Sequence, residues 1–429
     1  MRKVLKGMAS LLGATFLTIS AASSAQVELD FYYPVAVGGP ITKIVEDMIG
    51  RFEQANPDIK VNAVYSGTNP ETLSKVLTAS RAGKPPAMAV MTALDMYTLV
   101  DEDVIAPIDD FLKTEEDKAW LAGFEPAFMW NSQHDGKTWA VPFQRSTTLF
   151  YWNKDAFKAA GLDPEVGPQN WQEIIDFATK LTVKDASGNV TQWGVQAPST
   201  LVPYWILQGY AAQNGARLGD ETGTKTYFDK PEVVEALQFW ADLGQKYKVM
   251  KPGVIEWATN PKDFLEGRAA MITTTSGNLT NIKNTAKFPI GVQIMPGHKQ
   301  RGAPTGGSNM YIMKDAPAEQ QEAAFKLAKF LASTELASEW SIKTGYVATR
   351  ADAWETDAMK AYLKEFPLAG VSREQFPYLI PEFSTHDSQR VQRAIDDAIQ
   401  AVLVGSKSAE EALKAAQQEA ERILKPYQD

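Results

Sequence analysis

The sequence predicts a mixed α/β protein of two lobes. Three observations carry this. The chain opens as strand, helix, strand at βαβ spacing, which predicts a parallel sheet. A polar tetrad, Gln144-Arg145-Ser146-Thr147, has apolar chain on both sides and reads as a crossing between two bodies or as a site wall; an ordinary polar loop is the commoner outcome for such residues alone. Finally, the 429 residues contain no repeat, low-complexity run or flexible linker, so two lobes joined by several crossings fit better than two beads on a string.

The elements follow in order. Val27 to Tyr33 and Ile59 to Tyr65 read as strands, and Ile41 to Phe52 has apolar residues at helical spacing. Glu71 to Arg81 and Leu94 to Val100 read as helices around a strand at Ala87 to Thr92. Trp139 to Phe143 is apolar but broken by Pro142, which cannot donate to a ladder and should end the strand. Thr147 to Trp152, β-branched and aromatic, reads as a separate strand beyond the tetrad.

Further on, Trp171 to Leu181 and Tyr204 to Gln213 are helical, and Asp229 to Leu243 is a helix with Pro231 in its first turn. Thr273 to Asn278 is a hydroxyl-rich loop before a helix at Leu279 to Ala286. Ile290 to Met295 reads as the strand that returns the chain to the first lobe. Pro304 to Asn309 is a Gly-Gly loop before a strand at Met310 to Met313, and Pro317 to Trp340 reads as one long helical stretch. Helices at Val391 to Val404 and Ser408 to Leu424 follow. The expected lobes are 26–143 with 293–320, and 144–292 with 321–429.

Arg2, Lys3 and Lys6, an apolar run from Met8 to Ile19 and small residues up to Ala25 predict an export signal over residues 1–25. The apolar run is too short to span a bilayer. With no cysteine there is no disulfide framework and no thiol nucleophile. The net charge is −9, and about −12 once Arg2, Lys3 and Lys6 are removed, which argues against nucleic acid as a partner. An acidic chain can still take an anionic small ligand, because a few local cations dominate a cleft. The three histidines, His134, His298 and His386, are too dispersed for a metal motif. No nucleophile elbow, zinc-protease helix or phosphate-binding loop is present. The expectation is a binder with no cofactor, no metal and no catalytic residue.

Val141-Pro142-Phe143, a few polar residues, a strand and then Asn153-Lys154-Asp155 to Gly161-Leu162-Asp163-Pro164 resemble the extracellular solute-binding proteins of ABC importers, in their maltose-binding-like group. Phe52 to Val61, Val104 to Leu112 and Phe264 to Met271 carry the resemblance along the chain. It implies a two-lobe periplasmic binding protein fold (type II, maltose-binding-like) with a hinge and interlobe cleft, a periplasmic location and delivery of a small solute to membrane permease subunits, as a monomer.

Among the residues themselves, Thr275, Ser276 and Gly277 at a helix start suit an anion or polyol, or simply cap the helix. Gly307 invites close backbone approach, or is a tight turn. Trp171 and Tyr346 are ligand platforms or core. The resemblance, which is strongest to the glycerol-3-phosphate binders, implies a cleft built from Ser146, Trp171, Thr275, Gly307 and Tyr346, with Ser276 adjacent. It also implies three departures. Asn69 stands where the family has a tyrosine. Ala93 stands where it has a carboxylate, with Asp95 two positions away. Gln392 stands where it has an arginine, flanked by Arg390 and Arg393. Arg145 is a further candidate cation. The expected ligand is glycerol 3-phosphate or a glycerophosphodiester. The alternatives are a neutral sugar or oligosaccharide, with more aromatics in the cleft, and a secreted hydrolase of sugars or phosphate esters.

Overall fold

The computed structural model of this chain describes residues 26–428. The expected export signal lies outside the described residues. The first βαβ unit forms for the reasons its pattern suggests. Strand Val27–Tyr33 buries Leu29, Phe31 and Tyr33 on one face. Helix Ile41–Ala55 buries Ile41, Ile44, Val45, Met48, Ile49 and Phe52, a single apolar stripe. Helix Asn69–Arg81 starts on a capping box, with the Thr68 N–H donating to Glu71 Oε2 at 2.7 Å.

One sheet of eleven strands runs through the described residues. Its main path is Ile59–Tyr65, Val27–Tyr33, Met88–Thr92, Ala303–Met313, Val141–Asn153, Ala269–Thr275, Val190–Gln196 and Val183–Lys184. The first three pair in parallel, as expected. The two long strands in the middle pair antiparallel with each other. Among the described residues, no helix is long and apolar enough to cross a membrane.

The polar tetrad is not a loop. It lies within the continuous strand Val141–Asn153, every residue of which is buried. Pro142 does not end this strand because it faces Asn309, beside the register shift between Ser308 and Asn309, where the partner strand is already irregular. The expected loop at Pro304 to Asn309 is likewise strand, within Ala303–Met313. Gly307 carries the irregularity: its φ is +96°, and a Cβ there would lie 2.0 Å from the carbonyl oxygen of Gln144.

These two strands pass between separate apolar cores. Val141 and Phe143 belong to a first core with Phe31, Met48 and Met310. Phe150 and Trp152 belong to a second with Trp205 and Trp240, and Leu149 and Tyr151 to a satellite with Phe264.

The expected lobe boundaries differ from this in two places. Val292 and Met295 pack with the second lobe, so the return passes through Ala303–Met313, not through Ile290 to Met295. Phe325, Leu327, Leu331, Leu336 and Trp340 pack in the first core, although residues from 321 onward were expected in the second lobe. The expected single helix here is two, Ala318–Leu331 and Thr334–Thr344. Ser333 starts the second, its Oγ accepting from the Leu336 N–H at 3.4 Å.

Candidate functional site

A small cavity of about 50 Å³ lies where the two long strands pass between the cores. The first lobe contributes Ala36, Val37, Asn69 and Thr92 to its wall. The paired strands contribute Ser146, Gly307 and Ser308, and the second lobe Trp205, Trp257, Thr275 and Glu382. Tyr346 completes it from the loop after helix Thr334–Thr344. Outside lies a groove of about 1120 Å³ that shares Ala36, Val37, Leu201 and Trp257 with the cavity. It carries Glu256, Lys262, Glu266 and Lys287.

The lobes touch across this cleft. Trp257 Nε1–H donates to the Ala36 carbonyl at 3.0 Å, and the Gly38 N–H donates to Asn278 Oδ1 at 3.3 Å.

Five expected residues meet in the cavity: Asn69, Ser146, Thr275, Gly307 and Tyr346. Asn69 sits in the first turn of its helix, and its Oδ1 is buried with no protein partner. Thr275 ends strand Ala269–Thr275, and its Oγ1 accepts from the Gly277 N–H at 3.1 Å. Tyr346 follows left-handed Gly345 and stacks on Trp340 at 5.8 Å; burial pushes its phenol well above the usual range.

The other five do not line the cavity. Trp171 is a core residue, stacked between Phe239 at 4.1 Å and His298 at 4.2 Å, with Nε1–H donating to Gln213 Oε1 at 2.6 Å. Ser276 lies behind Thr275, its Oγ accepting from the Thr147 N–H at 3.4 Å. Asp95 is buried behind Thr92, accepting from the Thr92 hydroxyl and from Ser388 Oγ at 2.9 Å; burial pushes it up to about 6. Arg393 is exposed on helix Ser388–Leu403 because it points away from that helix's apolar stripe. Its flanking Arg390 is exposed too and pairs with Asp387.

Arg145 is fully buried behind the wall rather than in it. Its guanidinium lies 5.8 Å from the Phe128 ring centroid and 3.9 Å from Glu382 Oε2, and none of its three nitrogens has a hydrogen-bond partner.

Sequence reasoning missed Trp205, Trp257 and Glu382. The helix expected from Tyr204 to Gln213 runs over Pro203–Gln213; its all-round apolarity signals that every face is buried, and Trp205 sits in its first turn. Its Nε1–H donates to the Thr305 carbonyl at 2.8 Å, and its indole lies against Gly306, where a Cβ would meet it at 2.6 Å. Glu382 has no motif. It follows Pro381 after a two-residue strand, and only the fold brings it to the cavity.

Among the described residues no lysine or arginine lines this inner cavity, and Glu382 is its one carboxylate. The wall presents hydroxyls, an amide and aromatic faces. That combination holds polyhydroxylated molecules: hydroxyls exchange hydrogen bonds with the polar groups while aliphatic faces pack on the rings.

A cleft of this kind, between two α/β lobes joined by paired strands, defines a solute-binding protein. Residues 47–367 match the bacterial extracellular solute-binding proteins, and the chain belongs to that family. It is 29% identical over 97% of its length, and 96% of the relative's, to the sn-glycerol-3-phosphate-binding periplasmic protein UgpB of Salmonella typhimurium. The UgpB of Escherichia coli O6:K15:H31 is 28% identical over 99% of both chains. The fold is similar to that of Mycobacterium tuberculosis UgpB in complex with glycerophosphocholine, with a TM-score of 0.81 and 22% identity over 93% of this chain and 99% of that one. It is equally similar to maltotriose-bound MalE of Bdellovibrio bacteriovorus, with a TM-score of 0.80 and 21% identity over 93% and 100%.

Proposed function

We propose that this chain captures a small polyhydroxylated solute in the periplasm and presents it, as a monomer, to the membrane permease of an ABC importer. It binds and releases; it does not catalyse. The observation that carries this is the convergence of Asn69, Ser146, Thr275 and Tyr346 with two indoles at the strands that join the lobes. Solute bound between the lobes makes contacts that the open form lacks, so its binding energy draws the open–closed equilibrium toward closure. The closed form is the signal that a permease reads.

A glycerol phosphodiester suits the cleft, with its glycerol hydroxyls in the inner cavity and its phosphate outward, toward the groove that carries Lys262 and Lys287. The relation to the glycerol-3-phosphate binders supports this ligand class. A neutral sugar is the second reading, favoured by Trp205, Trp257 and Tyr346 in the wall.

Native mass spectrometry of the freshly purified protein, followed by calorimetry with the co-purified molecule, tests the reading. A polyol or sugar released unchanged is the expected result. A ligand without hydroxyls, or chemical turnover of the ligand, overturns it.

A further inference from the structure

The inner cavity ends on a carboxylate whose two oxygens are used differently. Glu382 is 5% exposed and its backbone is clamped: its N–H donates to Asn131 Oδ1 and Thr305 Oγ1, each at 3.1 Å, and its carbonyl accepts from Asn131 Nδ2 at 2.9 Å. Oε1 accepts from the Tyr204 hydroxyl at 2.9 Å. Oε2 is buried and has no hydrogen-bond partner. A buried carboxylate oxygen left without a donor is costly, and a donor supplied by a ligand recovers that cost.

Behind it stands Arg145, fully buried, with Nη1 at 3.9 Å from that same oxygen. The guanidinium compensates the carboxylate's charge from the protein side and does not reach the cavity wall. The cavity therefore meets its ligand with a carboxylate acceptor, not with a cation.

We infer that Glu382 is the specificity-determining residue of this site: it accepts hydrogen bonds from ligand hydroxyls and keeps phosphate away from the inner wall, while Arg145 is a positioning residue that holds it. The ligand consequently enters hydroxyl end first. A phosphate monoester dianion on a three-carbon frame cannot distance itself from Glu382 as a diester or a sugar can, so it is the disfavoured member of the class. This inference rests on the inner cavity being the solute site.

Calorimetry at pH 8, where Glu382 is ionised, and at one salt concentration, with wild type, Glu382→Gln and Glu382→Asp against glycerophosphocholine, glycerol 3-phosphate and maltose, tests it. Wild type should bind glycerophosphocholine or maltose at least tenfold more tightly than glycerol 3-phosphate. Glu382→Gln should weaken the preferred ligand tenfold or more, because an acceptor bond to an ionised group is lost. It should also shift the preference toward glycerol 3-phosphate. A merely structural residue would not move that ratio. Glu382→Asp keeps the charge but withdraws it by one methylene, and should lose affinity for the preferred ligand while keeping its melting temperature, should the Gln variant fold poorly.

Wild-type preference for glycerol 3-phosphate overturns the inference and leaves the polyol reading standing. So do variants that melt earlier but bind with unchanged affinity and ratio. No binding of any of the three ligands removes the polyol reading and the inference together.

Discussion

Two helices of the second lobe begin with an indole in the first turn, and they put it to different uses. Helix Trp171–Leu181 is amphipathic: Trp171, Ile174, Ile175, Ala178 and Leu181 face the core and the rest of the turn faces outward. Its first indole is sandwiched between Phe239 and His298, so both ring faces are occupied by the protein. Helix Pro203–Gln213 is buried along all eleven residues. Its indole is anchored through Nε1 to Thr305 on the strand Ala303–Met313 and borders the cavity. An amphipathic helix spends its apolar stripe on the core. A helix buried all round lies between two layers, and its end is where a cleft can open. The tryptophan available to a ligand is thus the one on the helix without a solvent face.

The sharpest test of this difference is truncation at both positions. Trp171→Ala should cost about 3–5 kcal/mol of folding stability, the range for emptying a large aromatic site in a core. Denaturant unfolding measures that loss, and calorimetry on the folded fraction should show ligand affinity within about twofold of wild type. A large affinity loss with unchanged stability would return Trp171 to the site and undo the comparison.

Trp205→Ala should show both effects, with affinity reduced by about 2–3 kcal/mol, as for a well-packed aromatic anchor at a ligand. Its fluorescence provides a second check: ligand should shift emission in wild type and in Trp171→Phe, and the shift should shrink in Trp205→Phe. Equal shifts in all three proteins would place the responding indole elsewhere, at Trp257.

The same contrast separates what could be read in the chain from what could not. The parallel first unit and the helix Trp171–Leu181 were legible, because burial on one face leaves a period in the sequence. The conformation of Gln144 to Thr147 was not. Polar residues in mid-strand are indistinguishable from a loop until the partner strand is known, and here the partner comes from more than 150 residues away, with Gly306 opposite Ser146 and Gly307 opposite Arg145. The residues of the cavity that came from the resemblance are mostly small and polar: Ser146 and Gly307 lie in mid-strand, Thr275 ends a strand and Asn69 opens a helix. Trp171 misled because an indole after a proline looks the same in core and cleft. Glu382 was invisible because its role depends on Tyr204, Asn131 and Arg145, from three distant segments.

Acidity sets a second contrast, between the buried carboxylates near the crossing strands and those on the surface. Burial pushes Glu382 up to about 7, helped by Asp95 and opposed by Arg145 and Tyr204, and pushes Asp95 up to about 6. Both groups hold a proton in the folded chain at a pH where the unfolded chain has released it. Their contribution to stability is therefore complete below the unfolded carboxylate range and is lost as pH rises through about 6 to 7. Unfolding free energy should fall by about 1–2 kcal/mol between pH 6 and pH 7 on their account. Glu382→Gln should flatten that slope; an equally steep slope in the variant would assign it to other groups.

The smallest expected effect concerns Trp257, the indole that belongs to both the cavity and the lobe contact. Its Nε1–H donates to the Ala36 carbonyl in the opposite lobe, and the nearby Gly38 N–H donates to Asn278 Oδ1. Neither bond can survive separation of the lobes, so both favour the closed form alone. Trp257→Phe keeps an aromatic face at the cavity and deletes one of the two bonds. A hydrogen bond of this kind contributes about 0.5–1.5 kcal/mol net, so the closed fraction of the ligand-free protein should fall by about two- to tenfold relative to the open one. Small-angle scattering of ligand-free protein should then give a larger radius for Trp257→Phe than for wild type, with the two radii converging at saturating ligand. Affinity should weaken by the same factor, because the ligand must now supply the closure energy that the indole supplied. If the radii agree without ligand while affinity still drops, Trp257 acts through direct contact with the ligand, and closure is governed elsewhere in the cleft.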